Sequence, residues 1–86
     1  MAHLLAKLQG AKFSEIRKAL KADAAKHNEQ GLHLEYVWRN ADKQEEVYFI
    51  FRSDNLIRAR QFIRDTHNAA RKANPSINLP EIIFLE

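Results

Sequence analysis

The 86 residues are 45% hydrophobic and 29% charged, with two Gly, two Pro and no Cys, which excludes a disordered, collagen-like or repeat chain as well as disulfides, thiolate metal centres and Cys nucleophiles. The length suits one domain, residues 1–86, with no room for a second core. Fourteen Lys and Arg against eleven Asp and Glu leave a net charge of +3, spread without a block of five or more, so a nucleic-acid partner is not indicated.

The run Leu4-Leu5-Ala6 near the start is too short for a signal-peptide core or a membrane span. A soluble cytoplasmic protein with no membrane partner is therefore expected. His3 to Leu8 reads as a first strand, ended at Gln9-Gly10. From Phe13 the apolar period lengthens: Phe13, Ile16, Leu20, Ala24 and His27 line one face of a helix, and Gly31 or Asn28 suits its left-handed stop. Leu32 to Arg39 then alternates, which sends Leu32, Leu34, Tyr36 and Trp38 one way and His33, Glu35, Val37 and Arg39 the other. A polar turn over residues 40–44 joins it to a second β-rich run, Glu46 to Arg52, as a hairpin. Ser53 or Asp54 can cap the next helix, whose stripe is Leu56, Ala59, Ile63, Thr66 and Ala70 with Phe62 at its edge. Asn74-Pro75 ends that helix, and a last strand runs from Glu81 to Leu85.

The order β-α-β-β-α-β predicts a ferredoxin-like α+β sandwich, a four-stranded antiparallel sheet with both helices on one face. The helices cover the face richer in apolar groups: Leu4, Ala6, Leu8, Leu32, Leu34, Trp38, Val47, Phe49, Phe51, Ile82 and Phe84. The other face carries Leu5, Val37, Ile50, Ile83 and Leu85 with the ring of Tyr48, too apolar for a surface that meets water. Burying five such side chains is worth about 7–15 kcal/mol, as much as the whole stability of a small domain. The economical cover is the same face of a second copy, a homodimer about a two-fold axis.

The β-α-β-β-α-β order, the stretch Trp38-Arg39-Asn40-Ala41-Asp42 followed by Glu46-Val47, and the terminal Pro80-Glu81-Ile82-Ile83-Phe84-Leu85 resemble the dimeric α+β barrel superfamily. Within it the chain is most similar to short antibiotic-biosynthesis-monooxygenase-like proteins, including those labelled "cyclase". The resemblance spans roughly residues 3 to 85 and implies paired sheets in a dimeric barrel. It also implies a small organic ligand, such as an aromatic one, between the sheets and cofactor-free oxygenase or isomerase chemistry. Haem-degrading members combine an Asn on the first strand, a Trp on the third and a His on the second helix; here His67 alone matches.

Polar residues at period-two positions on the second face are the candidate site. His33 and Glu35, two apart on one strand, make a proton-shuttling pair, and Tyr48 joins them as a candidate catalytic group. Arg39, Arg52, Lys7 and His67 are candidate ligand-binding groups, and the cations suit stabilisation of a phenolate-like anion. The other reading of the same residues is a rim ion pair of Glu35 with Arg39 or Arg52 around an interface that only associates. The four His lack any paired-ligand spacing, so no metal or other cofactor is expected. RNA binding, which the same strand order supports elsewhere, lacks its Gly-containing aromatic signature. Residues 74–79, the longest irregular stretch, are the natural gate.

Overall fold

A computed structural model describes all 86 residues. The elements in chain order are β1 (Ala2–Gln9), α1 (Phe13–Ala22), α2 (Ala24–Glu29), β2 (Leu32–Arg39), β3 (Glu46–Ser53), α3 (Leu56–Ala73) and β4 (Glu81–Leu85). They form an α+β structure with one four-stranded sheet in the order β2-β3-β1-β4, every neighbouring pair antiparallel. That is the strand order of a ferredoxin-like sandwich. No helix is long and apolar enough to cross a membrane.

The expected first helix is broken at Asp23 into α1 and α2. The break is slight, because the Asp23 N–H still bonds the Ala19 carbonyl and the Asp23 carbonyl accepts from His27 N. Gly31 follows at φ +75°, a left-handed turn in which its carbonyl also accepts the Asp54 N–H at 2.9 Å. Asn55 caps α3, not Ser53 or Asp54: its side chain accepts the Arg58 N–H at 3.1 Å.

The core lies between the sheet and the helices. Leu4, Ala6 and Leu8 of β1, Val47, Phe49 and Phe51 of β3, Leu32, Leu20 and Ala59 are buried, and Ile16, Phe62, Ile63, Ile82 and Phe84 pack against them. Alternation assigns these faces correctly for β1, β3 and β4. It fails in β2, where the register with β3 slips between Leu34 and Tyr36 and leaves Glu35 as an extra, bulged residue. Beyond the bulge every side chain changes face. Val37 stands opposite Phe49 and packs on the core, while Tyr36 and Trp38 stand opposite Ile50 and Tyr48 on the uncovered face. The expected places of Val37, Arg39, Tyr36 and Trp38 are thus reversed. Arg39 sits opposite Val47 with its guanidinium 5.8 Å from the Phe13 ring centre, on the helix side.

Candidate functional site

The uncovered face is a grid set by strand register. One row runs His33, Arg52, His3, Leu85; the next Tyr36, Ile50, Leu5, Ile83; the third Trp38, Tyr48, Lys7, Glu81. Its middle is apolar and its ends are polar. Tyr36 and Trp38 are 57% and 50% exposed and stack in parallel, ring centres 4.9 Å apart and planes 7° from each other. Two large aromatics stacked and half exposed are a costly surface to leave in water.

The sequence pairs His33 with Glu35, but the structure separates them. Glu35, displaced by the bulge, reaches across β3 to His3, with Oε1 3.0 Å from Nε2. His33 turns to the end of the sheet, where Nε2 is 2.7 Å from Asp54 Oδ2 and Nδ1 is 3.0 Å from Asn28 Oδ1. The hydrogen bond from His33 holds the Asp54 carboxyl below its ordinary value, with Arg52 adding to it. Asp54 and Asn28 lie outside the strands, so alternation along β2 carries no sign of this contact.

At the opposite end of the face Glu46 is buried to 4% exposure. Tyr48 donates its hydroxyl to Glu46 Oε1, Asn40 Nδ2 donates to the same oxygen at 3.1 Å, and Gln9 Nε2 donates to Oε2 at 3.2 Å. These bonds, Tyr48's first, push the Glu46 carboxyl down; the Tyr48 phenol is correspondingly pushed up, chiefly by its bond to Glu46. Tyr48 is therefore committed as a donor to Glu46 and is no free acid. Glu46 escaped the sequence reading, although Asn40, Glu46 and Tyr48 across a short turn carry the donors a buried carboxylate needs.

A cavity with a largely apolar wall lies on the other side of the sheet. About 290 Å³ opens between α1–α2, α3 and β4, walled by Leu4, Leu20, Leu32, Phe49, Phe51, Phe62, Ile63 and Ile82 with Pro80. His27, Thr66 and His67 are its inner polar groups; the exposed Asp23 and Lys26 stand to solvent. The His27 ring meets Phe51 edge-on at 5.1 Å and Phe62 at 6.2 Å. The Thr66 hydroxyl is spent on the Phe62 carbonyl at 2.8 Å. Burial lowers the pKa of His27 and of His67, with Arg71 adding to the effect at His67. Both imidazoles are biased to the neutral form, each able to accept one proton or hydrogen bond.

Of the seven candidate residues, His33, Glu35, Tyr48, Arg52 and Lys7 do share the uncovered face, at two opposite ends of it. Arg39 does not, and His67 faces the cavity between the helices rather than the mouth of a barrel. Nowhere do three or more metal-ligating side chains converge. Comparison with protein-family models, with curated proteins and with solved structures finds no match.

Proposed function

We propose that this chain acts as a homodimer joined uncovered face to uncovered face, each copy binding a small, largely apolar organic molecule in the cavity between its helices and its sheet. The observation that carries the ligand site is the cavity itself: about 290 Å³, lined by aliphatic and aromatic groups with two neutral-biased imidazoles. That volume suits a molecule of about ten to fifteen heavy atoms, the size of a hydroxylated bicyclic aromatic. A hydroxyl on it would find His27 or His67 as acceptor, and removal of a phenolic proton is the chemistry this wall offers. The resemblance implies a ligand between paired sheets; the cavity of a single copy supports a site behind the sheet instead.

The dimer rests on the grid. Four strands at ~4.8 Å spacing and about seven residues at ~3.3 Å rise give a face of roughly 15 by 23 Å, about 350 Å² in projection, which suits the flat centre of an interface whose rim comes from the surrounding loops. Acidic Glu35 and Glu81 and basic Lys7 and Arg52 share the face, so a two-fold copy can oppose unlike charges.

The test is titration of isotope-labelled protein with 2-naphthol, followed by amide shifts, alongside the variant Ile63→Trp that fills the cavity. Shifts grouped on α2, α3 and β4 and lost in the variant support the reading; none at millimolar 2-naphthol refutes it. A second reading is favoured by the stacked Tyr36 and Trp38 on a face that also carries Lys7 and Arg52: single-stranded nucleic acid laid on the uncovered face. A chain that is monomeric in solution would favour it.

A further inference from the structure

β2 is a terminal strand of the sheet, so its outer backbone N–H and C=O groups have no strand beside them. On the helix side of that edge a groove of about 600 Å³ runs between α1 and β2. Leu20, Leu34 and Val37 line its apolar part, and Arg17, Lys18 and Lys21 its charged part; no acidic residue lines it. None of these three cations takes part in any of the protein's four ion pairs. On the opposite side of the same edge stand the stacked, exposed Tyr36 and Trp38.

We propose that the outer edge of β2, from Tyr36 to Arg39, takes up an extended, alternately acidic and apolar segment of another protein as a fifth strand. Successive side chains of an added strand point to opposite faces. In one phase its carboxylates meet Arg17, Lys18 and Lys21, and its apolar groups cover Tyr36 and Trp38. The bulge at Glu35 ends the regular edge, which confines the added ladder to a short segment and guards against open-ended sheet growth. A second copy of this chain is the wrong occupant: pairing two β2 edges about a two-fold axis sets each cluster of cations against its twin. A nucleic-acid strand is also a poor fit, since its sugar–phosphate backbone has no alternating N–H and C=O groups with which to pair the free edge of β2. The proposal stands apart from the cavity, and it meets the face-to-face dimer only at Tyr36 and Trp38, which border that face at the free edge of β2.

The probe is an acetylated eight-residue peptide of alternating Glu and Leu carrying a fluorophore, with the Lys–Leu analogue and octaglutamate as controls. Anisotropy gives affinity, and amide hydrogen exchange gives the place. The Glu–Leu peptide should bind at least about tenfold more tightly than either control and slow exchange of the outward-facing amides between Tyr36 and Arg39, whose alternate amides already pair with β3. The exposed double variant R17E/K21E should weaken it about tenfold or more and favour the Lys–Leu peptide. Equal binding of all three peptides, octaglutamate binding as tightly as Glu–Leu, or protection elsewhere than β2 each overturns the proposal. So does a free protein whose Tyr36–Arg39 amides are already protected by a second copy. An empty cavity would instead show in α2, α3 and β4, so the two failures are distinct.

Discussion

Ile50 stands at the middle of the uncovered face, opposite Leu5 on one side and Tyr36 on the other. In a dimer built on that face both copies of Ile50 are buried near the two-fold axis. Ile50→Asp removes two buried side chains worth about 1.5–3 kcal/mol each and adds two carboxylates that must lose water. A loss of about 3–6 kcal/mol or more weakens the dimer by about 10²- to 10⁴-fold. The side chain points away from the core, so each copy should keep its far-ultraviolet circular dichroism. Sedimentation velocity over a concentration series reads the dissociation constant, and Ile83→Asp, at a position already 47% exposed, checks the same face with less risk to the fold. Both variants remaining dimeric with unchanged affinity would refute the face-to-face arrangement.

Four further outcomes follow from the same contacts. Burial holds His27 and His67 below their ordinary value of 6.5, so the unfolded chain takes up protons first and stability should fall as the pH drops below 6.5. Thermal melts of His27→Leu/His67→Leu should lose that slope; an unaltered slope would place it elsewhere. The lowered carboxyls of Asp54 and Glu46 add stability above their ordinary values of 3.8 and 4.5 that is lost on further acidification, and Asp54→Asn together with Glu46→Gln should flatten melting temperature against pH there. Gly31→Ala forces a side chain into a left-handed turn, with its Cβ 3.4 Å from the Asp54 Cβ, and should cost about 1–2 kcal/mol in urea unfolding. Ser53→Ala should be neutral or stabilising by up to about 1 kcal/mol, because the buried Ser53 hydroxyl has no hydrogen-bond partner; a clear loss would reveal a partner the geometry lacks.

Most of the fold was legible because its signals are local. Period-two alternation in β1, β3 and β4 and the apolar stripes of the helices each report one residue's own environment. The bulge at Glu35 is different in kind. It belongs to the pairing of β2 with β3, and one inserted residue sent Val37 and Arg39 to the helices and Tyr36 and Trp38 outward. The candidate site was half legible for the same reason. Lys7, Tyr48 and Arg52 follow from alternation, whereas the partners that define the polar ends lie off the strand that carries each residue: Asp54 and the nearby Asn28 for His33, and Gln9 for Glu46. The cavity at His27 and His67 depends on how far α2 and α3 stand apart, a distance that no spacing within either helix encodes.

Native mass spectrometry of the purified protein tests the central claim most directly, since it reports assembly and retained ligand together. A species at about 20 kDa, twice the 10.0 kDa chain, carrying the added mass of one or two small organic molecules is the predicted result. A species at 10.0 kDa with no added mass, unchanged across concentration, would contradict both the paired faces and the occupied cavity.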